Sequence, residues 1–447
     1  MLSEIFKAYD VRGIYKQNFN EDDAYKIGRA FVDFLKCKDV IVGTDMRLSS
    51  PSMSSAFMKG VCDQGANAIF IGQVCTDATY FASGLWGKPS VMFTASHNPK
   101  QYNGIKFTKA DAVPINNDTG LQAMKSIIES GEYKKKILKK GKITKKDVLK
   151  AYVKHVKEFI KPKKLRKLKI AVDAGNGMAG KVVPLVFKGL RPKIVPLFFK
   201  LDGNFPNHPA DPSKFENLVE LQKLVKRKKC DFGMAFDGDA DRIFFVDENG
   251  NVINSSLMSA LIIKYLLKEK PNEKVIYNVV CSHIVPETIL KFKGTPFIER
   301  VGHSFIKDTM RKTKALFACE HSAHYYYRDN YRADSGIITS LIVAEILSLE
   351  KRKLSQLLDE FSVYHTIEET NVEVHDKEAK IKEIEGIFVA QNPMKITKLD
   401  GLTVEFFNYW FNIRPSNTEP YLRLNLEAQS VELMNRKKEE LVALMKR

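Results

Sequence analysis

Long apolar runs, paired cysteines and a hydrophobic leader are all missing from this 447-residue sequence. No stretch approaches the ~18 uninterrupted apolar residues that a membrane span needs, and the most apolar one, 257–267, contains Lys264. The first residues carry scattered charges and no apolar core, unlike a signal peptide. We therefore expect a soluble protein with no membrane partner, located in the cytoplasm.

The six cysteines lie far apart and form no CxxC pair. This spacing argues against a zinc site or a disulfide framework and suits a reducing compartment. The hydrophobic fraction of 44% is ordinary for a globular protein and can fill several cores. The length alone suggests about three domains.

Positive charge is abundant but unevenly placed. The net charge is +18, and residues 134–169 hold 17 Lys/Arg against two acids. We interpret this segment as a solvated linker and helix face. No nucleic-acid partner is predicted, because neither interleaved aromatics nor a recognisable module accompanies the charge. A basic nucleic-acid-binding protein stays open as the non-enzyme alternative.

Strand and helix patterns alternate in three successive segments, and each restart predicts an α/β unit. The tail is different, with short alternating runs and one final helix. We predict an α/β fold of three tandem related mixed-sheet domains plus a smaller C-terminal α+β domain. The predicted bounds are 1–140, 150–250, 251–362 and 364–447.

The segment FTASHNPKQYNGIKF contains the first candidate site. Ser96 follows a strand pattern and precedes the turn signal Asn98-Pro99, so we expect its hydroxyl to be exposed at a strand's carboxyl end. Open α/β sheets bind ligands at that edge, and the serine is a candidate nucleophile or phosphate carrier. A hydrolase triad with His97 is not expected, because neighbours in an extended segment point apart and G-x-S-x-G is absent.

Three carboxylates alternate in the segment FDGDADRIFF, at Asp237, Asp239 and Asp241. Such acids repel one another unless a hard cation lies between them, and oxygen ligands suit Mg²⁺ or Ca²⁺. A calcium-binding EF-hand is rejected, because Arg242 occupies the sixth position, where that loop needs glycine. The segment predicts a loop that binds a divalent metal.

A glycine-rich turn, DAGNGMAG, matches the dinucleotide-binding pattern G-x-G-x-x-G through Gly175, Gly177 and Gly180. Asp202 lies about where a ribose-binding acid would be expected. An NAD(P)-dependent oxidoreductase is therefore an alternative. We favour a tight strand-to-helix turn, because no nicotinamide-side catalytic pair is evident.

Near the C-terminus, RPSNTEPYLR concentrates cationic and small polar groups in one short stretch. Guanidinium forks, hydroxyls and backbone N–H groups together suit a phosphate dianion. The predicted phosphate-binding residues are Arg414, Ser416, Asn417, Thr418 and Arg423.

The segment ACEHSAHYYYRD places Glu320, Ser322 and His324 at alternate positions. Alternation in a strand would project the three side chains to one face, where they could bind vicinal hydroxyls. Alone this pattern is weak, because it also marks the solvated face of a strand.

Four of these motifs occur in chain order, one per predicted domain: the serine segment, the aspartate loop, the EHSAHYYYRD loop and the phosphate-binding stretch. Their order resembles the α-D-phosphohexomutase family, most closely its phosphomannomutase/phosphoglucomutase branch. The resemblance covers essentially the whole chain, from FKAYDVRGIY (6–15) to RPSNTEP (414–420). It implies four domains around a central active-site cleft and gives the glycine-rich turn a structural role.

The resemblance also implies roles for individual residues. Ser96 would be phosphorylated and would complete a Mg²⁺ site with Asp237, Asp239 and Asp241. Glu320 and Ser322, grouped with His324, would contact sugar hydroxyls, and the loop at Arg414 would bind the distal phosphate. Further active-site positions match Tyr9, Arg12, His97, Asn98, Lys106, Arg242 and His303. Lys106, His303 and Arg12 are the candidates for proton transfer and charge stabilisation, with the base unassigned.

The implied reaction interconverts hexose 6-phosphate and hexose 1-phosphate, of mannose, glucose or both. It passes through the phosphoserine and a hexose 1,6-bisphosphate, which is also the activator. Phosphoglucosamine mutase is the alternative, although the EHSAHYYYRD loop resembles the mannose/glucose branch more closely. The expected partners are small phosphosugars, and a monomer is expected. One departure is Val280, which stands where relatives usually carry a lysine or arginine in the cleft.

Overall fold

The computed structural model of the chain describes residues 2–133, 139–416 and 420–447. Four β-sheets follow one another along the chain, each packed against helices. The first three sheets mix parallel and antiparallel strands, and the fourth is antiparallel throughout. This arrangement confirms the predicted fold class of three α/β units and a smaller C-terminal unit.

The first sheet is built from six strands and covered by five helices. The strands are β1 (Val11–Ile14), β2 (Asp39–Thr44), β3 (Asn67–Gln73), β4 (Ser90–Phe93), β5 (Tyr102–Thr108) and β6 (Ile143–Lys145). The helices are α1 (Leu2–Ile5), α2 (Glu21–Leu35), α3 (Ser50–Asp63), α4 (Thr76–Trp86) and α5 (Gln122–Ser130). The strand order is β1-β5-β4-β2-β3-β6, with β1 and β5 antiparallel to their neighbours.

The second and third sheets repeat one topology. The second contains β7 (Lys169–Asp173), β8 (Lys193–Leu197), β9 (Phe232–Phe236), β10 (Ile243–Val246) and β11 (Val252–Ile253), with helices α6 (Leu149–Lys157), α7 (Ala179–Phe187) and α8 (Val219–Lys228). The third contains β12 (Lys274–Asn278), β13 (Thr295–Glu299), β14 (Phe317–Cys319), β15 (Tyr325–Tyr327) and β16 (Ala333–Asp334), with helices α9 (Ser255–Glu269), α10 (Ile284–Lys291), α11 (His303–Thr313), α12 (Gly336–Glu350) and α13 (Leu354–Leu358). In each sheet three parallel strands are followed by two antiparallel ones, in the orders β8-β7-β9-β10-β11 and β13-β12-β14-β15-β16.

The fourth sheet belongs to a separate α+β unit with its own hydrophobic core. Its elements are β17 (His365–Thr366), β18 (Thr370–Glu373), β19 (Lys395–Thr397), β20 (Leu402–Glu405), β21 (Tyr409–Pro415) and β22 (Tyr421–Ala428), with helices α14 (Lys377–Val389) and α15 (Val431–Lys446). The long β21–β22 hairpin forms its centre, and Arg414 lies directly opposite Arg423 in the register.

One continuous apolar core joins the first three sheets. Helix α12 explains the continuity, because residues from Gly336 to Ser348 are all buried and the helix has no solvated face. The Ser335 hydroxyl caps its first turn by accepting the N–H of Ile338. The first three sheets are therefore packed against one another through this shared core.

The basic segment is more structured than the predicted linker. Within its described part, β6 extends the first sheet and α6 buries Tyr152 and Val156. Lys140 pairs with Asp63 at 2.7 Å, which removes part of the free charge. Apolar side chains between the lysines supply the burial that makes this segment fold. In the described part of the chain, no helix is both long and apolar enough to cross a bilayer.

Candidate active site

Three candidate loops occupy equivalent positions in the three mixed sheets. The Ser96 loop follows β4, the aspartate loop follows β9, and the Glu320 turn follows β14. Each of these strands is the one at which the parallel set meets the antiparallel set. Loops at the carboxyl ends of such strands form ligand sites in open α/β folds. The topological repeat therefore brings the three loops together.

Ser96 meets the aspartate loop of the second sheet directly. Its Oγ donates to Asp237 Oδ2 at 2.6 Å, and the two residues are 141 positions apart. The expectation of an exposed hydroxyl is wrong, because Ser96 is only 2% exposed. The aspartate loop covers it so closely that a Cβ at Gly238 would lie 2.5 Å from the Ser96 carbonyl oxygen. Substrate access to this hydroxyl consequently requires some of the groups around it to move.

His97 contacts Ser96, contrary to the expectation that neighbouring side chains point apart. Ser96 Oγ lies 3.2 Å from His97 Nδ1. The reason is that Ser96 has a φ of 49°, so the segment is a left-handed turn and not extended. Burial, together with the charges of Arg242 and Arg12, holds the pKa of His97 well below its usual value.

The aspartate trio fits a divalent cation. Oxygens of Asp237, Asp239 and Asp241 lie within 4.8 Å of one another, and all three residues are buried. Among the described residues, Asp239 Oδ1 and Asp241 Oδ1 have no hydrogen-bond partner. Burial and the two neighbouring carboxylates raise the pKa of Asp237 well above its usual value. Hard carboxylate oxygens with unsatisfied lone pairs are the donor set that Mg²⁺ prefers.

Lys106 supplies the main positive charge beside the trio. It projects from β5, and its Nζ lies 2.9 Å from Asp239 Oδ2 and 2.5 Å from Asp241 Oδ2. Burial alone would lower its pKa, but the two carboxylates raise it well above the usual value. Lys106 is therefore a fixed cation at this site.

The Glu320 turn joins the aspartate loop from the third sheet. Residues 320–324 form a turn and not the predicted strand, with Ala323 N–H donating to the Glu320 carbonyl. The three side chains still meet, because Ser322 Oγ lies 2.9 Å and Glu320 Oε1 lies 3.5 Å from His324 Nδ1. Arg242 Nε is 3.3 Å from His324 Nε2, which links this turn to the metal loop.

Residues from the N-terminal segment and α11 line the same region. Arg12 donates to Asn98 at 2.5 Å and also pairs with Asp10. Tyr9 packs its ring against His303, with centroids 5.8 Å apart. His303 Nδ1 is buried with no hydrogen-bond partner among the described residues. Burial and the nearby Lys307 charge hold the pKa of His303 well below its usual value.

The fourth sheet contributes two arginines facing one carboxylate. Glu369 accepts from Arg414 Nη2 and from Arg423 Nη1, both at 2.7 Å. Ser416 is buried beside them, and Asn417 and Thr418 lie outside the described residues. A hydrogen bond links the third and fourth units, because Asp400 accepts the N–H of Val301 at 3.0 Å.

The glycine-rich turn has a packing role. The N–H groups of Gly175, Asn176, Gly177 and Met178 all donate to protein acceptors, so they are not presented to a pyrophosphate. A Cβ at Gly177 would lie 2.7 Å from the Gly238 carbonyl oxygen. Glycine is needed here because the turn packs against the metal loop, and this observation disfavours dinucleotide binding.

Val280 is buried in a small cavity between the third and fourth sheets. It shares this cavity with Ser282, His321, Trp410 and Asn425. An apolar side chain suits that position, which is walled by apolar and neutral groups.

Three contributing residues were not found from the sequence. Thr76 donates to Asp239 Oδ2 at 2.5 Å, Glu369 bridges the two arginines, and Arg47 binds the backbone of the Ser96 loop. Position alone would have indicated Arg47 and Thr76, because each follows a parallel strand of the first sheet at its carboxyl end. Glu369 gives no local signal, because its partners are more than 40 residues away.

Comparison with known proteins gives matches along the whole chain. The three alpha/beta/alpha domains of the phosphoglucomutase/phosphomannomutase family match residues 3–135, 150–250 and 254–364, and its C-terminal domain matches 369–444. The phosphomannomutase of Vibrio cholerae is 37% identical, covering 99% of this chain and 98% of the relative. That of Methanocaldococcus jannaschii is also 37% identical, covering 99% and 97%.

A solved structure of a family member has a similar fold. The phosphoglucomutase/phosphomannomutase family protein of Burkholderia thailandensis has a TM-score of 0.91 at 32% identity, covering 99% of this chain and 97% of that chain. Fold and site together define an enzyme of the phosphohexomutase class. The chain belongs to the phosphoglucomutase/phosphomannomutase family.

Proposed function

We propose that this enzyme interconverts the 6-phosphate and 1-phosphate of mannose, glucose or both, through a phosphoserine at Ser96. The observation that carries the proposal is the 2.6 Å contact between Ser96 Oγ and Asp237 at a buried three-carboxylate centre. A serine hydroxyl with no metal or cationic neighbours would be a poor phosphoryl carrier. Here Asp237 contacts the hydroxyl directly, and Lys106 and Arg242 lie beside the same carboxylate centre.

The proposed transfer breaks the bond between Ser96 Oγ and phosphorus and forms a bond from phosphorus to a hexose hydroxyl oxygen. Asp237, Asp239 and Asp241 would hold Mg²⁺, which offsets negative charge on the phosphoryl oxygens. Lys106 keeps a fixed positive charge beside the reacting group. Phosphoryl transfer depends mainly on such positioning and charge neutralisation.

His303 is the proposed proton acceptor for the attacking hydroxyl. Its ring is neutral because burial lowers its pKa, and its Nδ1 has no partner among the described residues. Lys106 is less suited, because its ammonium is held charged by two carboxylates. In the return transfer the imidazolium gives the proton back to the leaving oxygen.

The cradle at Arg414 and Arg423 is proposed to anchor the phosphate that is not reacting. The bisphosphate intermediate then turns within the cleft, so that the anchored and reacting phosphates exchange places. Glu320, Ser322 and His324 are proposed to bind sugar hydroxyls in both orientations. Because Ser96 is buried, the loops must open during this cycle.

The test is a parallel assay of mannose 1-phosphate, glucose 1-phosphate and glucosamine 1-phosphate, with Mg²⁺ and the matching hexose 1,6-bisphosphate. We expect turnover of the mannose or glucose substrate to exceed that of glucosamine. Preference for glucosamine would assign the protein to the alternative activity, and absence of all turnover would reject the proposal. A melting-temperature shift with NAD(P) tests the oxidoreductase alternative, and salt-dependent binding to RNA or DNA tests the nucleic-acid alternative.

The monomeric state and the cytoplasmic location stay predictions. Analytical ultracentrifugation of the full chain checks the first, and fractionation of the source cells checks the second.

A further inference from the structure

Arg47 is a fully buried arginine in the loop that follows β2, and its side chain has no solvent exposure. Its guanidinium donates to four backbone carbonyls of the neighbouring segment 96–102. Nη2 binds the carbonyls of Ser96 and Asn98 at 2.8 and 2.6 Å. Nη1 binds those of Pro99 and Tyr102 at 2.8 and 3.0 Å. All four acceptors belong to the segment that carries the nucleophile.

That segment needs an external restraint. Ser96 has a φ of 49°, and a non-glycine residue in the left-handed region is strained unless its surroundings hold it there. Within the turn, the Ser96 N–H donates to Thr94 Oγ1 and the Asn98 N–H donates to the Ala95 carbonyl, both at 2.9 Å, but neither bond engages the carbonyls of Ser96 and Asn98. The guanidinium holds the carbonyls on both sides of His97, so it fixes the direction in which the Ser96 hydroxyl points.

Arg47 is itself held rigidly. Asp45 Oδ2 lies 3.2 Å from Arg47 Nε, and Asp45 Oδ1 accepts from Ser50 Oγ at 2.7 Å. From the second sheet, the Phe205 ring lies 5.2 Å from the guanidinium. A Cβ at Gly203 would lie 2.9 Å from the Arg47 Cα. The arginine is therefore fixed by the same two sheets that form the metal and serine loops.

We propose that Arg47 is the positioning residue that sets the backbone of the Ser96 loop, so that the serine oxygen faces the three carboxylates. Arginine is required because the planar guanidinium places donors on separate nitrogens that reach several carbonyls at once, whereas a lysine ammonium has all three N–H donors on one nitrogen. The inference rests on the proposed function, since it concerns the residue proposed to carry the phosphoryl group.

The test uses Arg47→Lys in the full-length enzyme with Mg²⁺. Phosphoryl incorporation at Ser96 from glucose 1,6-bisphosphate is followed by mass spectrometry, and kcat and KM are measured separately. Displacement of reacting groups by about 1 Å costs about 100-fold in rate. We expect incorporation and kcat to fall by about that factor, while KM changes by less than about threefold, because the distal phosphate cradle is intact.

Arg311→Lys is the matched control. Arg311 Nη2 also binds three backbone carbonyls, those of Asp111, Ala112 and Tyr331, and none belongs to the Ser96 loop. We expect this variant to lose some thermal stability but to incorporate phosphate at the wild-type rate. Hydrogen exchange should increase at residues 94–104 in Arg47→Lys and not in the control.

Wild-type incorporation and kcat in Arg47→Lys would overturn the inference, as would an equal loss in the control. If the lysine variant does not fold, Asp45→Asn loosens the arginine without emptying its site and carries the same prediction. Failure of the wild-type enzyme to incorporate phosphate at Ser96 would instead reject the proposed function.

Discussion

At the scale of single residues, the site is assembled from side chains whose partners lie far away along the chain. Ser96 and Asp237 are 141 positions apart, and Lys106 reaches Asp241 across 135 positions. Each contact joins two sheets, so a single substitution changes the relation between them. Substitutions of Ser96 and Arg414 can be distinguished kinetically. Ser96 would carry the phosphoryl group that reacts, whereas Arg414 would bind the phosphate that does not react.

Ser96→Ala is expected to abolish phosphoryl incorporation and to reduce turnover by several orders of magnitude, because it removes the proposed nucleophile. Incorporation from hexose 1,6-bisphosphate and steady-state turnover are the measurements. Ser126→Ala is the control, because Ser126 is exposed on α5 and bonds only within its helix. Near-normal turnover in Ser96→Ala would reject the phosphoserine mechanism.

Arg414→Ala is expected to act mainly on binding. Deleting a charge-assisted phosphate anchor costs about 1.5–3 kcal/mol, so KM should rise about 10- to 100-fold with a smaller change in kcat. Glu369 would still pair with Arg423, which limits rearrangement of the sheet. Arg436→Ala, at an exposed position on α15, should leave both constants unchanged. An unchanged KM in Arg414→Ala would dissociate the loop from phosphate binding.

At the scale of elements, loops are positioned by close backbone packing. The glycine-rich turn before α7 lies against the metal loop, and Met178 N–H donates to the Gly238 carbonyl at 2.8 Å. This packing explains why a mutase contains a glycine pattern that matches a dinucleotide-binding motif. Gly177 serves the neighbouring metal loop, and Gly180 allows the close approach of the Phe199 backbone.

Gly177→Ala is expected to weaken Mg²⁺ binding about tenfold, in the range seen when groups that support metal ligands are changed. The added Cβ would lie 2.7 Å from the Gly238 carbonyl oxygen and displace the metal loop. Isothermal titration calorimetry measures the affinity. Gly386→Ala is the control, since its Cβ would meet open space on α14. Equal Mg²⁺ affinity in the two variants would contradict this account.

At the scale of the whole molecule, Asp77 lies at the junction of three helices. It is on α4, and it accepts hydrogen bonds from Tyr152 on α6 at 2.5 Å and from Ser335 at the start of α12. Burial raises the pKa of Asp77 to about 6. The packing of the first three units therefore encloses a carboxyl group that titrates near neutral pH.

Asp77→Asn is expected to stabilise the protein above pH 6 relative to wild type. A raised pKa means that the buried neutral carboxyl stabilises the fold fully below about pH 4, and this contribution is lost as the pH rises through about 6. The asparagine does not titrate, so its advantage should grow between pH 4 and 7, to at most about 3 kcal/mol. Thermal unfolding at pH 4.5 and 7.5 measures it.

Asp63→Asn provides a control in which the expected change in stability at neutral pH has the opposite sign. Lys140 and Lys59 lower the pKa of Asp63, so this variant should lose stability at neutral pH, with the loss disappearing on acidification. A pH-independent difference between Asp77→Asn and wild type would show that the carboxyl does not titrate in this range.

The sequence by itself determined most of the parallel strands, about half of the helices and the order of the four motifs. The apolar run DFGMAF (231–236), for example, is typical of a buried strand, and the structure has one at Phe232–Phe236. These features follow from local hydrophobic periodicity and turn chemistry, which each segment carries within itself. The antiparallel strands β10, β11, β15 and β16 were missed, because two to four residues give too short a pattern. Strands β1, β5, β6 and β13 were missed as well.

Only the tertiary structure decided the burial of Ser96, the turn at Glu320 and the parts played by Arg47, Thr76 and Glu369. Each depends on a partner from another loop or another sheet, and pairings over such separations leave no periodic trace in the chain. Neighbouring residues could predict that a hydroxyl follows a strand. Whether a second sheet would cover that hydroxyl depended on how the units pack, which no local segment encodes.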